Sequence, residues 1–382
     1  MKFRTVIVCM LCCCIIASGL PACAIEDTMG LTCPSAILME QSTGKILYQK
    51  EPNMRLPMAS VTKIMTMLLA MEAISSGKMT YDDMITGSAY AKSMGGSTIF
   101  LDEGEQLSVR DMLKGIAVSS GNDAAVAMAE HIAGSADNFV AMMNERASQL
   151  GMKDTHFVNC NGLDAEGHYS SAYDIALMSR ELMNHEDIFE YTGIWMDSLR
   201  NGAFAMSNTN KLIRFYEGAT GLKTGSTSKA KFCISATAKR NNMHLIAVIM
   251  AAPSSKERSA DASALLNFGF ANYGLLSCVE QGEICDTIRI PKAASGSAPV
   301  VCESGITHLY PKGDTPQIKR EIVIDNSLVA PLAAGTAVGT ITVKNGDEPI
   351  ATAPLVLAGD VPKLSVTGTF AGLVAKWMKC DK

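Results

Sequence analysis

The chain has 382 residues, with 33 Lys and Arg against 38 Asp and Glu and a net charge of −5. That mildly acidic balance offers no electrostatic footprint for nucleic acid, so no nucleic-acid partner is expected. The length exceeds one typical hydrophobic core and points to two domains.

The first 24 residues read as an export signal. Lys2 and Arg4 form the charged start, "TVIVCMLCCCIIASGL" at 5–20 the apolar core, and "ACA" at 22–24 a small-x-small cleavage site. The apolar run is short for a retained membrane span. "LPAC", ending at Cys23, leaves lipoprotein processing as an alternative, with Pro21 awkward for it; either way the mature chain works outside the cytoplasm. Removal of the signal takes Lys2 and Arg4 with it and leaves 358 residues of net charge −7. Seven cysteines remain: Cys33, Cys160, Cys233, Cys278, Cys285, Cys302 and Cys380. They form no CxxC pair, and their number is odd. Most read as small buried hydrophobes, and one bridge among Cys278, Cys285 and Cys302 stays open.

"SAILMEQ" and "KILYQKE", joined by "STG" over 35–51, predict a β-hairpin. A helix is expected from about Ser60 to Ser76, with Ile64, Met67, Leu68 and Met71 at helical spacing. Residues 107–134 read as two helices broken at "SSGN", the first opened by a capping box of Ser108 and Asp111. Residues 137–150 form another amphipathic helix. "KFCISATAKR", "NN" and "MHLIAVIMAA" at 231–252 predict a second hairpin, and 256–274 a helix that closes the first domain. After about 276, short β-rich runs alternate with Gly, Pro, Asn and Asp, as in a small all-β domain. The boundaries are 1–24 for the signal, 25–276 for the first domain, 277–362 for the second and 363–382 for a tail. In that tail Phe370, Leu373, Val374, Trp377 and Met378 share one helical face with lysines opposite. This suggests an amphipathic helix lying on an anionic membrane surface.

Ser60 and Lys63 form an S-x-x-K. Four other pairs of that spacing occur, beginning at Ser42, Ser75, Ser226 and Ser228. Two further clusters single out Ser60: "SGN" occurs once, at Ser120–Gly121–Asn122, and "KTG" once, at Lys223–Thr224–Gly225. That order is the pattern of penicilloyl-serine enzymes. The six histidines show no HExxH or H-x-H spacing, and there is no GxGxxG or P-loop. No metal and no cofactor are expected.

The sequence resembles the low-molecular-weight penicillin-binding proteins that act as serine-type D-alanyl-D-alanine carboxypeptidases. The stretches "PSAILMEQSTGKILYQKEPNMRLPMASVTKIMT", "ISSGNDAAVAMAE", "FVNCNGLDAEGHYSSAYDIALM" and "GLKTGST", the helix carrying Arg258, the β-rich domain and the tail carry the resemblance across the mature chain. It implies an α/β penicillin-binding fold, an antiparallel sheet flanked by helices with a helical subdomain. It implies Ser60 as nucleophile, Lys63 as general base and Ser120 as proton relay in a Ser60–Lys63–Ser120 triangle. Asn122 would orient Lys63 and the substrate amide. "KTG" should open an edge strand, with Lys223 and Thr224 binding the substrate carboxylate and Gly225 leaving room for substrate. The N–H groups of Ser60 and Ser226 would form the oxyanion hole, and Arg258 is either a carboxylate ligand or a solvated helix charge. Burial and a second cation nearby are expected to keep Lys63 neutral, and Lys223 can be that cation. His168 and Asp174 are read as scaffold, since no G-x-S-x-G accompanies them.

The activity implied is removal of the terminal D-Ala from peptidoglycan stem pentapeptides at the outer face of the cytoplasmic membrane, with β-lactams acylating Ser60. The alternatives are a class A β-lactamase, which normally has S-D-N and an "ExxLN" absent here, and a non-catalytic penicillin sensor. A DD-endopeptidase shares the chemistry.

Overall fold

The computed structural model describes residues 29–325, 327–365 and 370. The export signal and all but a few residues of the expected tail lie outside them. Among the described residues no helix is long and apolar enough to cross a membrane.

Strands β1 (Ser35–Glu40) and β2 (Ile46–Lys50) form the first expected hairpin. Helix α1 (Lys63–Ser75) follows a 3-10 turn at Ala59–Thr62. Then come α2 (Val109–Ala117), α3 (Asn122–Ala133), α4 (Ala136–Gln149) and α5 (Ala172–Leu182). Ser108 caps α2 by accepting the Asp111 N–H at 3.2 Å, as its sequence context predicts. Strands β3 (Ala219–Thr227), β4 (Lys231–Arg240) and β5 (Met243–Ala252) and helix α6 (Ser255–Asn272) complete the first layer set.

The five strands form one antiparallel sheet in the order β2-β1-β5-β4-β3, so β3 is an edge. The central strands are buried on both faces, and alternate residues serve different helices. Ile37, Met39, Ile246, Val248 and Met250 join a core with α1 and α5. Leu38 and Leu245 point the other way, against Gly269 of α6, where a Cβ would lie 2.5 Å from Leu245 Cδ1. α1 is apolar almost all round: Ile64, Met65, Met67, Leu68, Leu69, Ala70 and Met71 are buried. Such a helix belongs inside a domain, so the group at its N-terminus is also removed from water.

From Tyr273 onward the structure is β. Strands β6 (Tyr273–Val279) and β9 (Ile306–Pro311) pair, while β7 (Ile284–Arg289), β8 (Ser297–Cys302), β10 (Ile318–Ile324), β11 (Ala337–Asn345) and β12 (Glu348–Leu357) form a sheet ordered β7-β8-β12-β11-β10. This β-rich region has its own core, including Val300, Val338, Ile341, Val343 and Leu355. Cys33, Cys160, Cys233, Cys278, Cys285 and Cys302 are free thiols, and all but Cys285 are buried. Cys380 lies outside the described residues.

Candidate active site

Ser60 sits in the 3-10 turn ahead of α1, and its hydroxyl does not cap the helix. Lys63 Nζ donates to Ser60 Oγ at 3.0 Å. The turn is braced from behind by Thr62, whose hydroxyl donates to the Ala59 carbonyl at 2.8 Å. His168 Nε2 lies 2.8 Å from the same hydroxyl, and His168 Nδ1 accepts the Val158 N–H at 3.0 Å. That network assigns the ring proton to Nε2, and burial pushes the imidazole pKa down to about 4. Asp174 accepts the Asp154 N–H and the Thr155 hydroxyl. Both groups are committed to the scaffold.

Backbone contacts hold the turn in place. Ala59 has φ +49, a left-handed conformation that side-chain-bearing residues seldom adopt unless the surroundings impose it. Gly162, at φ +90, packs so close that a Cβ there would lie 2.0 Å from the Ala59 carbonyl oxygen. A Cβ on Gly225 would lie 2.8 Å from Ser60 N. The missing side chain of Gly225 therefore admits the Ser60 backbone, a close approach beyond the one expected for substrate. Gly162→Ala should destabilise the fold by roughly 3 kcal/mol, through strain and overpacking combined. It should also slow penicillin acylation at least about tenfold. Thermal melting and the acylation rate check both.

Lys63 is wholly buried. Besides Ser60, its Nζ donates to Asn122 Oδ1 and to the Asn161 carbonyl, both at 2.6 Å. Burial lowers its pKa from the ordinary lysine range to about 7, because the charged form loses its water. Of the two causes expected, burial is the dominant one. Lys223 is itself held well below its ordinary value by burial first, then by Lys63 and Arg258.

Asn122 is the first residue of α3, but Gly121 holds the cap position. The Asn122 side chain is spent on the site: Oδ1 takes Lys63, and Nδ2 donates to the Gly95 carbonyl at 2.7 Å. Ser120 is buried two residues earlier, with φ +62. Among the described residues no hydrogen bond joins Ser120 to Ser60 or Lys63, so the expected triangle is not closed in this structure.

Lys223, Thr224 and Gly225 lie mid-way along β3 rather than at its start, because the ladder with β4 already begins at Ala219. Lys223 is 1 % exposed and, among the described residues, donates only to the neighbouring Thr224 carbonyl, at 3.0 Å. The Thr224 hydroxyl meets that of Thr209 at 2.7 Å. Ser226 is exposed on the free edge. Arg258 is buried, and among the described residues its Nε has no hydrogen-bond partner. The solvated reading of Arg258 is therefore excluded, and among the described residues the buried basic side chains of Lys223 and Arg258 stand near each other with no carboxylate paired to either.

Sequence reasoning missed the Asn161 carbonyl, the Thr62–His168 brace and the loop at Met94–Ser97. That loop supplies the Gly95 carbonyl, accepts the Asn122 N–H at Ser97, and lends Met94 Sδ to Asn161 Nδ2 at 3.4 Å. The "NG" at Asn161–Gly162 was the one local signal of a tight turn. Which carbonyl points at an amine is settled by the fold.

The model of the D-alanyl-D-alanine carboxypeptidase family matches residues 24–254, and that of the penicillin-binding protein 5 C-terminal domain matches 273–363. The chain is 43% identical over 349 residues to the D-alanyl-D-alanine carboxypeptidase DacF of Bacillus subtilis, covering 90% of each. It is 38% identical over 329 residues to DacD of Escherichia coli K12, covering 84% of this chain and 85% of that one. Penicillin-binding protein 5 of Haemophilus influenzae superposes with a TM-score of 0.71 at 33% identity, covering 87% of this chain and 98% of that structure. The chain belongs to the D-alanyl-D-alanine carboxypeptidase family.

Proposed function

We propose that this protein is a serine-type carboxypeptidase that removes the terminal D-Ala from peptidoglycan stem pentapeptides through an acyl-enzyme at Ser60. The observation that carries this reading is the set of three oxygens around Lys63 Nζ. A neutral amine has two N–H donors and one lone pair. Asn122 Oδ1 and the Asn161 carbonyl only accept, and at 2.6 Å each they take the two donors. The lone pair then faces Ser60 Oγ at 3.0 Å, and the serine hydroxyl donates to it. In that state Lys63 takes the proton as Ser60 attacks the carbonyl of the penultimate D-Ala.

The N–H groups of Ser60 and Ser226 hold the developing oxyanion. Ser120 passes the proton toward the leaving amine, reaching Lys63 once substrate is bound. Asn122 orients Lys63 and bonds the substrate amide. Lys223, Thr224 and Arg258 bind the terminal carboxylate, which neutralises a buried pair of cations; Gly225 seats the strand against the nucleophile. D-Ala leaves, and water cleaves the ester. Penicillin-binding protein D2 of Listeria monocytogenes has been solved in an ampicillin-bound form, which supports β-lactam acylation at Ser60 here. Residues 25–276 carry the chemistry and 277–362 the β-rich domain. The signal at 1–24 sends the chain out of the cytoplasm, and the tail at 363–382 rests on the membrane, placing the site toward the wall.

Mass spectrometry after penicillin G should place one acyl group on Ser60, and D-Ala should be released from diacetyl-Lys-D-Ala-D-Ala. Labelling elsewhere, or no release, contradicts the assignment. Lys223→Ala should raise KM for that peptide roughly 10- to 100-fold, by removing a buried charge-assisted hydrogen bond to the carboxylate. Steady-state kinetics separate this from a loss of kcat.

A further inference from the structure

Beside the end of β3 stands a carboxylate that the reaction scheme does not use. Asp164 lies on the loop between Asn161, whose carbonyl holds Lys63, and His168. The loop is stiff. Asn159 Oδ1 accepts the Gly162 N–H at 2.7 Å, Asn159 Nδ2 donates to the Leu163 carbonyl at 2.9 Å, and the Leu163 N–H donates to Asn161 Oδ1 at 3.0 Å. Gly162 abuts the nucleophile turn, so Asp164 is fixed relative to Ser60 although its side chain is exposed. Thr227, the last residue of β3, donates its hydroxyl to Asp164 Oδ1 at 2.7 Å and accepts the Ala230 N–H at 2.9 Å. Among the described residues nothing else bonds this carboxylate. Lys229 and Lys231, exposed beyond Thr227, form no ion pair with it.

We propose that Asp164 makes the site selective for peptides in which the residue preceding the two D-alanines carries a free amine on its side chain. This rests on the reading above, with the terminal carboxylate at Lys223 and the acyl carbonyl between Ser60 and Ser226. Those two anchors lay the peptide antiparallel along the free edge of β3, as an added strand. At about 3.3 Å per residue, the residue before the acylating D-alanine stands level with Thr227. A side chain as long as lysine's then brings its ammonium to the free oxygen of Asp164. The Thr227 hydroxyl holds the carboxylate in place, so less side-chain freedom is lost than at an ordinary surface pair. An acetylated or absent amine leaves the carboxylate solvated and gains nothing.

The test compares D-Ala release by the full-length protein from two peptides, Nα-acetyl-Lys-D-Ala-D-Ala with its side-chain amine free and the same peptide with that amine acetylated. The wild type should prefer the free amine roughly five- to twentyfold in kcat/KM, mostly through KM, and the preference should shrink as salt is raised. Asp164→Asn should bring the ratio close to one, and Asp164→Lys should invert it. Equal turnover of both peptides by the wild type, or an undiminished preference in Asp164→Asn, overturns the proposal and leaves the hydrolase reading standing. Release from neither peptide overturns both.

Discussion

Ser60→Ala is expected to abolish penicillin labelling and to lower D-Ala release by a factor on the order of 10⁴ or more, the scale on which removal of an acylated nucleophile acts. The fold should survive. Ser60 is half-buried, and among the described residues its hydroxyl takes part in one hydrogen bond, with Lys63. The 3-10 turn is held by other groups: the Thr62 hydroxyl on the Ala59 carbonyl, His168 on Thr62, and the backbone packing of Gly162 and Gly225. The stability change should therefore stay within about 1 kcal/mol. Intact-mass spectrometry after penicillin G, D-Ala release and a melting curve decide it together. A folded Ser60→Ala protein that still takes up penicillin would place the nucleophile elsewhere. An unfolded one would show that the hydroxyl has a structural role these contacts do not reveal.

The parts of the fold that rest on local periodicity were legible. The hairpin at β4 and β5 follows from two ten-residue apolar runs around Asn241–Asn242, and the ladder pairs Arg240 with Met243 as a two-residue loop demands. α1 follows from Ile64, Met67, Leu68 and Met71, although these residues do not say that its remaining faces are buried too. Helix α5 is not among the expected elements. Its cap Ser171 and the buried Ile175, Met178 and Leu182 carry the helical pattern, although the stretch enters the sequence argument only through the family resemblance. The position of "KTG" within β3 depends on where pairing with β4 begins, and that is a tertiary fact. The site divides along the same line. Side chains proposed for the chemistry have recognisable types, so Ser60, Lys63, Asn122 and Lys223 were legible as candidates. Groups that act through the backbone, such as the Asn161 carbonyl and the left-handed Ala59 and Ser120, carry no residue-type signal.

Lys63→Met should lower acylation about 10³-fold or more, and its second signature is in the pH dependence. With a pKa of about 7, the acylation rate of the wild type should fall roughly tenfold from pH 8 to pH 6 as the amine takes up a proton and loses its lone pair. Stability carries the same proton. Unfolded, this lysine titrates near 10.4; folded, at about 7. Between those values the unfolded chain binds the extra proton, so stability rises with pH across the window and is progressively lost on descending to 7. Below 7 both states are protonated, and no further loss occurs. The window contributes up to about 1.4 kcal/mol per pH unit, and about 2 kcal/mol from pH 7 to 9. Methionine fills similar space and cannot titrate, so the variant should lose that increment while Lys223, also depressed by burial, keeps its own. Near neutrality, relief from a buried cation is offset by leaving Asn122 Oδ1 and the Asn161 carbonyl without their donor, at roughly 1–3 kcal/mol each. The variant should therefore be about as stable as the wild type at pH 7 and less stable at pH 9. Denaturant titrations at the two pH values test this. An unchanged pH slope in Lys63→Met would mean that Lys63 stays charged in the folded protein, and the base would then have to be another group.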